Sequence, residues 1–269
     1  MRVALSLADY DAVDVTPDAT GITITVKNAV VDDTAARTGS GSIGDTSVAY
    51  ASPAPPGDQW KFAPRPVPST YVAANPRLIV IDPGHGGSDW GSYRGDAVEK
   101  TLALDMSKRL RDILVARGWQ VIMTRETDKD VFAANDSDHD ELQARDDVAN
   151  NNGARLFVSV HVNAFINSGP HGATVYYYKP LDFALAQAVN RRIGAQGGIK
   201  PDGTVKDKLY VVHHANMPAA LVETAFISNP DDRVLLQSPQ WRQKMAQAIA
   251  DGIADYAGAP PAASSAGGQ

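Results

Sequence analysis

His85, Glu99, His161 and Glu223 are the residues of this chain whose types and spacing could do chemistry. His85 stands in Asp82-Pro83-Gly84-His85-Gly86-Gly87, His161 follows the apolar run "LFVSV", and Glu223 follows "AALV". Glu99 opens a helical pattern beyond the glycine-rich loop that starts at His85. Two imidazoles and a carboxylate form a set that suits catalytic zinc, which takes three such ligands and keeps a fourth position for water. His85, Glu99 and His161 are therefore the expected metal ligands. Glu223 is left over as a general base for the attacking water, returning the proton to a leaving amine. Each residue taken alone also has a plainer interpretation. A histidine can simply occupy a turn or a strand end, and a carboxylate is favoured in the first turn of any helix. Glu223 resists this most, because a carboxylate embedded in "AALVETAFI" must be paired, ligated or catalytic to justify its burial.

These residues need a scaffold that gathers them. Five apolar strand candidates, at 77–81, 119–123, 156–160, 173–178 and 219–223, alternate with helical patterns. Their near-continuous apolar runs fit strands covered on both faces. Residues 99–117 carry Leu102, Met106, Leu110 and Ile113 on one helical stripe, and Trp241, Met245, Ile249, Ile253 and Tyr256 form another. The stretch 181–196 and the one after Glu141 are further helical candidates. The expected fold is α/β, a single domain over 76–257 with a mainly parallel or mixed central sheet covered by helices. Ligands of such sheets sit beyond the carboxyl ends of the strands, where His85, His161 and Glu223 are expected.

Composition narrows the function classes. Apolar residues make up 43% and charged residues 21%, ordinary values for a globular protein. The formal net charge of −6 supplies no basic stripe for a nucleic-acid backbone. No run of about 18 apolar residues is present to span a membrane. There is no cysteine, so a metal site must use His, Asp or Glu. Asp9 and Asp11 interrupt the apolar opening, so "MRVALSLADYD" does not read as a signal peptide. Residues 1–35 read as a short β-rich segment, with strands around Val3–Leu7 and Ile22–Val26 and a turn at "TPDATG". Residues 36–75 have the Gly, Ser and Pro content of a linker, and 258–269 that of a disordered tail.

From about 76 to 257 the chain resembles the zinc-dependent N-acetylmuramoyl-L-alanine amidases of bacterial cell walls, the family often called amidase type three. The resemblance rests on "IVIDPGHGG", "EKTLALDMSKRL", "TRETD", "LFVSVHVNA" and "MPAALVETAFISNPDD", which occur in the family's order. It implies zinc on His85, Glu99 and His161, with Glu223 as the catalytic glutamate. It further implies hydrolysis of the amide between the lactyl group of N-acetylmuramic acid and L-alanine of the stem peptide. The substrate would be peptidoglycan in the cell envelope, reached as a periplasmic or secreted protein whose leader is absent from this sequence. The N-terminal strands are similar to small β modules that target such enzymes to the wall. A zinc peptidase acting on another amide and a non-catalytic wall-binding protein are the alternatives.

Two departures from the family pattern carry expectations of their own. The acidic stretch 126–141 is longer than the family's and reads as a solvated loop. Only "FINSGPH" separates Ala164 from the next strand, leaving no room for a blocking helix, so an open cleft that needs no protein activator is expected. His213 and His214 read as a loop pair bordering the cleft, Asn163 as a group orienting substrate, and Asn229 as a helix cap. Asp82 is the expected orienting partner of a ligand.

Overall fold

The computed structural model describes residues 70–261 and, before them, the backbone of three strands, β1 (Ala12–Asp18), β2 (Gly21–Lys27) and β3 (Arg37–Thr38). These pair antiparallel in the order β1-β2-β3. The expected turn "TPDATG" is displaced by this pairing: Thr16, Pro17 and Asp18 belong to β1, and Asp18 lies opposite Gly21. The expected strand around Val3–Leu7, most of the linker and the end of the tail lie outside the described residues.

The main body follows in the order β4 (Asn75–Pro83), a small hairpin of β5 (Tyr93–Arg94) and β6 (Ala97–Val98), then α1 (Glu99–Ala116) and β7 (Gln120–Met123). Next come α2 (Asp138–Asn151), β8 (Ala154–Asn163), β9 (Ala173–Tyr177), α3 (Phe183–Gln196) and β10 (Pro201–Lys206). The chain closes with α4 (Tyr210–His214), β11 (Ala219–Phe226), α5 (Pro230–Gln237) and α6 (Pro239–Ala257). Six strands form one sheet in the order β10-β9-β11-β8-β4-β7. The four strands β11, β8, β4 and β7 are parallel, whereas β9 runs antiparallel to β11 and carries β10 parallel to itself. The sheet is thus mixed, with a parallel centre.

Strand alternation sends side chains to two separate cores. Ile79, Ile81, Leu156, Val158, Val160 and Val222 pack with Met106 and Leu110 of α1, Val189 of α3 and Ile249 of α6. Leu78, Val80, Phe157 and Leu221 face the other way, against Ala149 of α2 and Val211 and Val212 of α4. Burying a Leu or Ile side chain contributes about 1.5–3 kcal/mol, so two filled faces hold the sheet in place, and its parallel strands present their carboxyl ends at one edge. The tyrosines of "VYYYK" divide as alternation requires, Tyr177 toward the first core and Tyr176 and Tyr178 toward the second.

Two elements escape the apolar pattern. The edge strand β10 reads "PDGTVK" and is largely exposed, so it has no apolar run to announce it. Helix α2 buries Glu141, Arg145, Asp146 and only one apolar residue, Ala149. Its start is marked instead by Ser137, whose side chain accepts from the Asp140 N–H at 3.1 Å.

Candidate metal centre

β4 delivers the chain to the sheet edge, where Gly84 N–H donates to the Val160 carbonyl of β8 at 3.0 Å. Two buried guanidiniums then take hold of the backbone that follows. Arg125 donates to the carbonyls of Pro83 (3.0 Å) and Gly84 (2.8 Å), and Arg145 to those of Pro83 (2.9 Å) and His85 (2.9 Å). Held this way, His85 adopts φ 58°, a left-handed conformation that a residue with a side chain rarely takes without such support. Gly84 is required by close approach: a Cβ there would lie 2.3 Å from the His161 ring.

Glu99 is placed by the start of α1. No side chain caps this helix; instead the Glu99 N–H donates to the Ser92 carbonyl at 2.9 Å and the Lys100 N–H to the Trp90 carbonyl at 3.4 Å. The Glu99 carboxylate is fixed in turn, Oε2 accepting from the Ser92 N–H (2.8 Å) and Oε1 from the Val162 N–H (3.0 Å). Glu99 Oε1 stands 3.2 Å from His85 Nε2 and 3.2 Å from His161 Nδ1. The two rings meet nearly edge-on, with centroids 4.9 Å apart. One ligand atom from each of His85, Glu99 and His161 lies within 4.8 Å of the others. Bond lengths of about 2.0–2.1 Å at a tetrahedral angle would separate two zinc ligands by roughly 3.3 Å, which the two spacings of 3.2 Å to Glu99 match.

The charges point the same way. Burial alone would lower the His85 pKa, but Glu99 and Asp89 outweigh it and raise the imidazole to about 10. Burial works against Glu99 ionising, yet His85 and His161 hold it well below the usual carboxylate range. A buried carboxylate that two imidazoles share is a place built for positive charge.

The partner that orients His85 is Asp89, not the expected Asp82. His85 Nδ1 donates to Asp89 Oδ2 at 2.6 Å, which leaves Nε2 facing Glu99. Asp89 is lowered to about 2, its burial overcome by the His85 contact. Asp82 is occupied elsewhere, accepting from Thr124 (2.6 Å), Ser159 (2.7 Å) and Arg145 (2.8 Å). It is a buried anchor for α2 rather than a contact of either histidine. The missed signal was local: Asp89 lies four residues beyond His85 in a loop whose glycines allow it to fold back.

His161 and Glu223 do not follow their strands, as expected, but lie within β8 and β11, which run on to Asn163 and Phe226. They are direct neighbours in parallel register, so both side chains emerge on one face at the carboxyl edge. A break in register follows between Glu223 and Phe226. Glu223 stays outside the converging set of three, and its Oε2 is buried with no hydrogen-bond partner among the described residues. Burial first, and the charge of Glu99 second, push its pKa well above the carboxylate range, against a smaller opposite pull from His85.

The acidic stretch is largely exposed, as expected of a solvated loop, and is also tied to the loop that carries His85. Asp128 accepts from the Gly87 N–H (2.8 Å) and pairs with Lys100 (2.9 Å), while Asp130 accepts from the Ser88 N–H (2.9 Å). Glu141 belongs to α2 and accepts from the N–H groups of Val131 and Phe132. The stretch therefore grips the loop that carries His85. His213 and His214 also depart from expectation, lying in α4 rather than a loop, with His214 buried and its Nδ1 facing the Tyr210 carbonyl at 3.0 Å. Asn163 turns its side chain to the Ala164 N–H (2.8 Å), and Asn229 caps α5 by accepting from Asp231 and Asp232.

Comparison with known proteins bears directly on this site. Residues 79–255 match the family model described as N-acetylmuramoyl-L-alanine amidase. The germination-specific N-acetylmuramoyl-L-alanine amidase of Bacillus subtilis (strain 168) is 32% identical over 67% of this chain and 79% of its own length. The N-acetylmuramoyl-L-alanine amidase LytC of the same organism is 36% identical over 71% of this chain but only 39% of LytC. The chain thus spans well under half of LytC. Among solved structures, the CwlD amidase from Clostridioides difficile in complex with the GerS lipoprotein superposes with a TM-score of 0.63. It is 29% identical, covering 67% of this chain and 98% of that one. Since the matched segment runs from within β4 into α6 and takes in His85, Glu99, His161 and Glu223, the chain belongs to the N-acetylmuramoyl-L-alanine amidase family.

Proposed function

We propose that the domain hydrolyses the amide between the lactyl group of N-acetylmuramic acid and L-alanine of the peptidoglycan stem peptide, with zinc held by His85, Glu99 and His161. The observation that carries this is the shared Glu99 oxygen, 3.2 Å from a nitrogen of each histidine, with Glu223 on the neighbouring strand, its Oε2 buried without a hydrogen-bond partner among the described residues. Zinc in that position supplies a Lewis acid that polarises the scissile carbonyl and lowers the pKa of water. The chain's own residues do the rest. Asp89 accepts the hydrogen bond of His85 Nδ1–H, which keeps that proton on Nδ1 and leaves Nε2 to face the metal position. Glu223 Oε2 receives the proton of the attacking water and passes it to the alanine nitrogen as the bond breaks. The site works in the cell envelope, where this substrate lies. Among the described residues, no helix is long and apolar enough to cross a membrane.

The site also works without an activator. Residues 164–172 join β8 to β9 without a helix, and the His85 and His161 side chains each keep 18% of their surface exposed. The experiment is digestion of purified peptidoglycan by the zinc-loaded protein alone, with analysis of the products. Free stem peptides beginning with alanine and unpeptidated muramic acid are expected. Cleavage elsewhere in the stem would make the domain a peptidase, and release only after a second protein is added would overturn the open site. A chelator should abolish the release and added zinc restore it.

Asp89→Asn tests the orienting contact. The amide keeps the shape but no longer holds the His85 proton with a charge, so zinc affinity is expected to fall about 10–100-fold. Competition with a chromophoric chelator would measure it. An unchanged affinity would remove Asp89 from the site.

A further inference from the structure

Resting on the amidase reading above, we infer that Trp90 is a stacking platform for the muramic acid ring of the substrate, and so selects for an amide that carries sugar. Trp90 is 55% exposed although it is the largest side chain of the loop that holds His85. Its position is fixed from three sides. The Trp90 carbonyl accepts the Lys100 N–H at the start of α1, and the Lys100 ammonium sits 4.7 Å from the indole centroid. That ammonium is itself tied to the Gly87 carbonyl (2.8 Å) and Asp128 (2.9 Å). Tyr93 meets the indole edge-on at 6.5 Å. An aromatic ring that is held rigid yet left half in water costs little conformational entropy to use.

Its neighbour fixes the distance to the chemistry. A Cβ on Gly91 would lie 2.7 Å from both Glu99 Oε2 and the His85 ring, so Trp90 is one residue from direct contact with two ligands. Two more exposed apolar side chains, Phe165 (47%) and Ile166 (61%), follow the end of β8, just past His161. The Phe165 N–H is held by the Ser228 hydroxyl at 3.0 Å, just before α5, and α5 packs against β6 of the hairpin that follows Trp90. Asp128, which pairs with that same Lys100, and Asp130 pin the loop from the α2 side. The scissile carbonyl is separated from the muramic acid ring only by the short lactyl ether. A ring placed there brings a flat face of C–H bonds to within reach of the indole, whereas the alanine methyl offers nothing to stack.

The test compares two substrates of the zinc-loaded protein: a muramoyl peptide and the matching lactyl peptide without its sugar. In wild type the sugar-bearing substrate should have the higher kcat/KM. In Trp90→Ala the ratio of the two should fall about tenfold, chiefly through KM, and Trp90→Phe should recover most of it. Zinc content measured alongside shows whether the ligand loop is intact; a Trp90→Ala protein that loses zinc is replaced by Trp90→Leu. Binding of peptide-free glycan chains to the Glu223→Gln protein, followed by indole fluorescence, separates this inference from the amidase reading. Glycan binding that depends on Trp90 without any amide cleavage in wild type would keep the platform and reject the reaction. Cleavage with an unchanged substrate ratio would reject the platform. So would Trp90-dependent binding to phosphatidylglycerol vesicles with no effect on glycan.

Discussion

Glu223→Gln is expected to lower kcat by about 10²–10⁴-fold while the protein keeps its zinc. The substitution preserves shape and removes only the ability to take a proton. Glu223 lies beside His161 in parallel register but outside the cluster formed by His85, Glu99 and His161. Its Oε2 is buried without a hydrogen-bond partner among the described residues, which leaves that oxygen free to take a proton. Burial disfavours the charged form of Glu223, a penalty that an uncharged amide in its place does not carry. Glu223→Gln should therefore be no less stable than wild type in thermal unfolding, and more stable if burial dominates. Metal analysis and peptide release from purified walls, run on one preparation, decide the role. Zinc lost together with activity would make Glu223 a ligand. Activity retained within a few fold would leave the proton without an acceptor and end the mechanism.

How much of this site could be seen in the sequence depends on what holds each residue. His85, His161 and Glu223 were legible because apolar runs of both-face-buried strands lead straight to them, and such strands share one edge. Glu99 was legible because a helix that starts after a short loop must start at that same edge. Strand ends were misjudged for a physical reason. β8 and β11 continue through His161 and Glu223 because backbone pairing does not require an apolar side chain. Asp89 could not be told from Asp82 without coordinates. Both are single carboxylates near His85, and which one turns to it depends on positive φ at His85, Gly86 and Gly87.

The second core was the harder half of the fold to read. α2 turns Leu142, Val148 and Ala149 to the second core but also buries Glu141, Arg145 and Asp146, and apolar periodicity registers only part of a helix that buries charge. The ties made by the acidic stretch before it were hidden for a similar reason. Its carboxylates are spent on the N–H groups of Gly87, Ser88, Val131 and Phe132, and such contacts depend on loop shape rather than on composition. β10 was hidden because an exposed edge strand can be made of Pro, Asp, Gly and Thr.

Arg145→Leu is expected to destabilise the domain by about 3–5 kcal/mol at neutral pH, the cost of leaving a buried charge without its partner. The guanidinium is buried and joins four groups: Asp82 (2.8 Å), Glu141 (2.6 Å) and the carbonyls of Pro83 and His85 (2.9 Å each). Leucine fills some of the volume but satisfies none of them. Asp82 should suffer most. Burial pushes its pKa up, and Arg145, with Thr124 and Ser159, brings it below the ordinary carboxylate value. A carboxylate depressed in the folded state adds stability above its unfolded pKa of about 3.9 and loses it as pH falls through the folded value. Without Arg145 the upward push of burial has lost its main opponent. Asp82 then favours its protonated form, so acidification from pH 7 toward 4 relieves the variant, whereas wild type loses its own Asp82 contribution only below about pH 4. The stability gap between the two proteins should therefore narrow as pH drops from 7 toward 4, measured by urea unfolding at each pH. A gap that stays constant would mean that the lost hydrogen bonds to Pro83 and His85, not the charge on Asp82, account for the effect. A gap below about 1 kcal/mol at pH 7 would show that α2 does not depend on the pair at all.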